Sequence, residues 1–184
     1  MYNKQRLEIG FIILSPEGNI AKIKATKSSI GNHYPGTFIL VAVPKNIPEE
    51  QLQKIQEICP VVVGQNTITS LINAGFKKAQ AEWNILVEEG IWVKPNIDKK
   101  YSCFYETEKD IFYSVICEYD QDNKPIKIHD TFWDCTLNGI MIHRLTFKNI
   151  GNFSDNPLEI SRLMWTLQAQ DIGCKFKAVL GAKI

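Results

Sequence analysis

The chain has 184 residues, 45% of them hydrophobic and 22% charged, with a formal net charge of +1. This length suits one domain with a sizeable core, and near-neutrality gives no electrostatic case for nucleic acid or an anionic membrane surface. The five cysteines, Cys59, Cys103, Cys117, Cys135 and Cys174, are far apart with no C-x-x-C pair, which excludes the usual thiolate zinc and dithiol redox motifs.

The amino terminus, MYNKQRLEIG, is polar, and the apolar run after it is only of strand length, so neither a signal peptide nor a membrane span is expected, and the compartment expected is the cytoplasm. Residues 8–14 predict a buried strand closed by the loop Ser15-Pro16-Glu17-Gly18-Asn19. A helix to about Ile30 follows, with Ile20, Ile23 and Ile30 on one face and Gly31 as its stop. A strand over 38–43 is ended by Pro44. Pro48, Glu49 and Glu50 then place a proline and two acids in the first turn of a second helix. After Pro60 comes the short strand VVVG. Asn66 or Thr67 can cap a third helix whose Ile68, Leu71, Ile72, Gly75 and Ala79 recur at helical spacing. Ile85, Leu86 and Val87 form a central strand, with Glu88 and Glu89 at its carboxyl end and Gly90 breaking it. This alternation of strands and helices argues for a parallel sheet covered on both faces.

The second half reads differently. Residues 101–107 and 110–120 look like a hairpin joined through Glu108-Lys109, with strands at 123–128, 131–136 and 137–144 continuing in antiparallel style. Phe147, Ile150 and Phe153 bracket a short helical turn. A helix from Asn156 to about Ile172 carries Ile160, Leu163, Met164 and Leu167 as its expected buried stripe, and Gly173 stops it before a last strand, CKFKAVL. No linker or repeat divides residues 1–184. The expected fold class is a single α/β domain, with a mostly parallel central sheet flanked by helices and antiparallel additions in the second half.

Ligands of open α/β sheets sit beyond the carboxyl ends of the strands, so Glu88 and Glu89 are candidates to hold a divalent cation against a phosphate, or are two solvated glutamates at a strand end. Asn73, polar on an otherwise apolar helix face, needs a partner, either a ligand or a structural hydrogen bond. His143 and Arg144 are candidate diphosphate contacts. His129, Asp130 and Asp134 have a metal-like composition but stand on separate segments. Trp83, Trp92, Trp133 and Trp165 include candidates for a sugar-stacking platform, with core packing expected for most. Neither a Ser-His-Asp or Cys-His signature nor a phosphate-cradling G-x-x-x-x-G-K-[ST] loop is present.

In order, these elements resemble the family-two glycosyltransferases of GT-A type, the nucleotide-diphospho-sugar transferases, over nearly the full length. Pro16-Glu17-Gly18-Asn19 is similar to that family's P-x-x-N after the first strand, and Ser28, Asn32, Tyr34 and Pro35 to its S-x-x-x-Q-x-Y-P. Asn73-Ala74-Gly75 resembles its R-N-x-G, with Ile72 at the arginine. Ile91-Trp92 and Pro95-Asn96 resemble the segment after its metal motif. Phe147, Gly151 and Phe153 resemble its F-x-x-x-G-x-F, and the helix from Glu159 its E-D helix.

The resemblance implies transfer of a sugar from a nucleotide-diphospho-sugar donor to an acceptor hydroxyl that the sequence does not identify. Ser15, Pro16, Asn19, Asn73, Glu88 and Glu89 would meet the donor, Asn19 serving equally as a helix cap. Glu89 would contact Mg²⁺ or Mn²⁺, and Glu159 would act as general base or simply favour its helix start. Three family acid positions hold apolar residues here, Val43, Val87 and Ile160. They open a second reading, a catalytically degenerate homologue that binds a glycan, nucleotide or protein. A homo-oligomer or a partner subunit is conceivable on either reading.

Overall fold

A computed structural model describes residues 8–103, 105–114, 116–119, 125–129 and 138–179. The first half alternates as expected: β1 (Ile9–Leu14), α1 (Ile20–His33), β2 (Phe38–Pro44), α2 (Glu49–Gln56), β3 (Val61–Gly64), α3 (Ile68–Lys78) and β4 (Trp83–Glu88). Then come α4 (Ile97–Ser102), β5 (Asp110–Ser114), β6 (Ile116–Tyr119), β7 (Pro125–His129), β8 (Met141–His143), α5 (Arg144–Ile150), α6 (Leu158–Asp171) and β9 (Lys175–Val179). Seven strands form one sheet in the order β3-β2-β1-β4-β8-β5-β9. β1 to β4 run parallel, β5 and β9 run parallel to each other, and β8 lies antiparallel between β4 and β5.

β6 and β7 pair antiparallel as a separate two-stranded sheet. The strand expected over 131–136 lies outside the described residues.

The strands of the first half are apolar on both faces because helices cover both. Ile12, Leu14, Ala42 and Leu86 pack under α3, α5 and α6 with Leu71, Phe76, Phe147 and Trp165. Phe11, Ile13, Val41, Val43, Ile85 and Val87 pack on the other side with Ile23, Ile30 and Tyr101. Each large aliphatic side chain so buried contributes about 1.5–3 kcal/mol.

The structure departs from the sequence-based expectations at five places. The strand expected over 137–144 is only β8, with a turn at 138–139 before it and α5 starting at Arg144. Gly31 does not stop α1, which runs on to His33, its end closed by the Tyr34 amide donating to the Ile30 carbonyl. Residues 101–107 make no hairpin with 110–114: Tyr101 belongs to α4, fully buried, its hydroxyl donating to the Gly139 carbonyl. The 110–120 run is two strands, β5 and β6, in different sheets. The largest correction concerns α6. Its inner face is Ser161, Arg162, Trp165, Thr166 and Ala169, while Ile160, Leu163, Met164 and Leu167 are 43–51% exposed. An aromatic ring and small polar residues allow the close approach: Trp165 stacks on Phe153 at 4.8 Å and donates from Nε1 to the Gly151 carbonyl at 2.9 Å.

Candidate functional site

The carboxyl ends of β1 and β4 are neighbours, with Leu14 paired to Glu88, and the Glu89 amide continues the ladder by donating to the Leu14 carbonyl at 3.0 Å. Successive side chains at a strand end point to opposite faces, so the two glutamates part company. Glu89 turns toward the β1–α1 loop. Its Oε2 accepts from the buried Ser15 hydroxyl at 2.6 Å and from the Asn19 amide at 2.9 Å, and its Oε1 accepts from the Glu17 amide at 3.2 Å. Asn19 caps α1, its side chain accepting from the Lys22 amide. The Glu89 carboxylate therefore sits where the helix macrodipole and free amides favour an anion.

Glu88 turns the other way. Residues 139–140 run alongside β4, the Gly139 amide donating to the Leu86 carbonyl at 2.8 Å, and they bring up Asn138. Asn138 accepts from the Glu88 amide at 2.6 Å and donates from Nδ2 to Glu88 Oε2 at 2.8 Å. As placed, the two carboxylates do not converge on one ion, and no cluster of three or more metal-ligating side chains occurs among the described residues.

The segment after Glu89 is stitched to α1. Thr26 Oγ1 accepts from the Gly90 amide at 2.9 Å and Ser29 Oγ from the Val93 amide at 3.0 Å. The Tyr34 hydroxyl accepts from the Ile97 amide at 2.7 Å and donates to the Lys94 carbonyl at 3.2 Å. Sequence reasoning missed Thr26, Ser29 and Asn138 as parts of this edge. A signal was present: Thr26 and Ser29 lie between Ile23 and Ile30 on the buried face of α1, and buried hydroxyls need partners. The charge balance is also informative. The Lys22 ammonium is bound by Glu17 at 3.0 Å, and Glu89 also lies within its electrostatic reach. That hydrogen-bonded ion pair with Glu17 holds the lysine above its ordinary range, with Glu89 adding in the same direction.

The remaining candidates fall elsewhere. Asn73 is satisfied by protein: Nδ2 donates to the Phe153 carbonyl and Oδ1 accepts from the Phe153 amide, both at 2.8 Å. Pro16 is exposed in the β1–α1 loop. Glu159 is exposed in the first turn of α6 and takes no part in the hydrogen bonds around Glu89. His143 and Arg144 do not reach this edge. β8 runs backwards, pairing His143 with Trp83 at the start of β4, and the Arg144 amide donates to the Glu82 carbonyl. Trp83 and Trp165 are core residues, whereas Trp92 is 52% exposed. His129 ends β7, and Asp130, Trp133 and Asp134 lie outside the described residues.

Two open clefts, of about 530 and 560 Å³, lie at the opposite, strand-start edge, one lined by Ile9, Phe38 and Pro60 and the other by Phe76, Arg144 and Phe147. The carboxyl edge carries the donor groups arranged around an anion.

No protein-family model matches this chain. No curated protein matches its sequence. Solved structures do match in shape. CMP:2-keto-3-deoxy-manno-octonic acid synthetase complexed with CTP superposes with a TM-score of 0.56 at 8% identity, over 94% of this chain and 89% of that one. The 4-diphosphocytidyl-2C-methyl-D-erythritol synthase of Anaerococcus prevotii does so with a TM-score of 0.59 at 13% identity, over 97% and 89%. S. aureus TarS 1–349 in complex with UDP gives 0.61 at 15% identity, over 92% of this chain but 57% of its own. At such identities the likeness is one of fold: the chain has the nucleotide-diphospho-sugar transferase-like α/β fold. None of its helices, among the described residues, is long and apolar enough to cross a membrane.

Proposed function

We propose that this chain handles a nucleotide-activated sugar at the carboxyl edge of β1 and β4, in the manner of a glycosyl- or nucleotidyl-transferase. The observation that carries this reading is the cradle formed by the Ser15 hydroxyl and the Glu17 and Asn19 amides. It is built for an anion, at the sheet edge where ligands of such folds rest, and it holds the Glu89 carboxylate. A donor phosphate would compete for those groups, releasing Glu89. Only then would Glu89 be free to contact Mg²⁺ or Mn²⁺, an ion that needs few carboxylates when phosphates and waters complete its shell. Glu159 is the acid of the E-D-like helix available to take a proton from an acceptor hydroxyl.

A specific observation favours a second reading, that of a degenerate homologue that binds without turnover. Val43 and Val87 are fully buried in the core, and the Glu17 and Glu89 carboxylates both act on the Lys22 ammonium, a poor setting for a diphosphate.

Thermal melts with UDP, GDP, CMP and dTDP and their sugars, with and without Mn²⁺, separate the two readings. A ligand at a hundredfold its dissociation constant stabilises by about 2.7 kcal/mol. The first reading expects a metal-dependent shift for one donor, lost in Glu89→Ala. A well-folded protein with a flat panel removes donor binding and leaves the second reading.

A further inference from the structure

α6 presents an apolar stripe to solvent at i, i+3, i+4 and i+7: Ile160, Leu163, Met164 and Leu167, exposed by 49%, 46%, 43% and 51%. The helix cannot roll to hide it, because its inner face is fixed. Ser161 Oγ donates to the Ser154 carbonyl at 3.0 Å, Trp165 Nε1 donates to the Gly151 carbonyl at 2.9 Å, and Ala169 is fully buried. Four half-exposed large side chains make an apolar patch on the order of 400 Å², comparable to the largest patch on a typical monomer, which is often functional.

We propose that this stripe binds the same stripe on a second copy of the chain, the two α6 helices crossing antiparallel about a twofold axis between Leu163 and Met164. The spacing is its own mirror image. Reversing the helix about that axis sets Ile160 against Leu167 of the partner subunit, and Leu163 against Met164 of the partner subunit, as an isologous contact demands. The charges permit it as well. Glu159 falls opposite Gln168 of the partner subunit and Asp171 opposite Asn156 of the partner subunit, so no like-charged pair is directly opposed along the helix, and the chain's net charge of +1 adds little repulsion. A stable dimer buries about 800 Å² per partner, roughly twice the stripe, so a contact made by the stripe and a thin polar rim lies at the small end and the dimer is a weak one, dissociating at micromolar concentration or above.

Sedimentation velocity of the full chain from about 1 to 500 μM is the test, with urea melts to show that each variant folds. A monomer–dimer equilibrium is expected in the wild type. Leu163→Glu, an outward-facing change, should weaken the dimer by roughly a hundredfold or more, with folding unaltered. The register gives a second check: Gln168→Lys, placed against Glu159 of the partner subunit, should tighten it by roughly two- to fivefold, and Gln168→Glu should loosen it by a similar factor. A chain that stays monomeric throughout overturns the proposal. So does a dimer indifferent to Leu163→Glu, or one for which the two Gln168 variants do not differ.

Discussion

Val87 sits directly before the Glu88-Glu89 pair, with no exposed surface, in the cluster that includes Phe11, Ile13 and Val43. An acid there would lie beneath the sheet edge with nothing to pair it, and a buried unpaired carboxylate costs several kcal/mol. Val87→Asp is therefore expected to lose more than about 3 kcal/mol in urea unfolding and to restore no metal-dependent ligand shift. A gain of Mn²⁺-dependent donor binding in a folded Val87→Asp protein would contradict this. The same neighbourhood shows how far residues could be read without coordinates. Two adjacent glutamates at a strand end were legible, because an apolar run followed by acids and glycine has one simple interpretation. Their partners were not, since Ser15 and Asn138 lie 74 and 50 residues away along the chain and meet them only through the crossover connections. Asn73 was legible as a polar group needing a partner. The choice between ligand and backbone depended on where Phe153 came to rest.

At the level of elements, the first half followed from periodicity, because a strand buried on both faces is almost continuously apolar and short proline- or glycine-bounded connections leave little choice. α3 shows how tightly such a unit closes. A Cβ built on Gly75 would lie 2.5 Å from Ile12 Cγ2, so the helix rests on β1 with no room for a methyl group. Gly75→Ala should cost about 1–3 kcal/mol by overpacking, despite alanine's better helix propensity, and a stabilised variant in urea would show that the helix can lift. The second half misled for two physical reasons. Aromatic-rich residues 101–107 have strand-like composition, but Tyr101 is used to anchor a short helix. In α6 the hydrophobic period identified an apolar face correctly. Periodicity does not say what that face meets, and here the protein's own core takes the side bearing Trp165.

For the molecule as a whole, His143 gives stability a pH dependence. It is 4% exposed, and burial lowers its pKa below the ordinary 6.5. Glu108 and Glu82 pull the other way, while Arg144 reinforces the lowering. The unfolded chain therefore takes up the proton first as pH falls. Stability from this group is complete above 6.5 and declines as the pH drops toward the folded-state value. The imidazole Nδ1 also accepts from the Leu145 amide at 3.3 Å, an acceptor that protonation removes. Urea midpoints between about pH 7.5 and 5 should fall less in His143→Asn, whose side chain can keep the cap without titrating. Equal slopes would assign the acid sensitivity to other groups.

The ends of the sheet bear on how this protein behaves when concentrated. Among the described residues β3 and β9 are the outermost strands. β3 is only four residues long and is entered from Pro60, and β9 carries Lys175 and Lys177, with Lys177 drawn into an ion pair with the buried Asp110 at 3.0 Å. Short length, a flanking proline and lysines are what keep open strand edges from templating one another into fibrils. Crowding this protein should therefore favour discrete, reversible particles built through helix surfaces over growth by strand addition at either margin of the seven-stranded sheet.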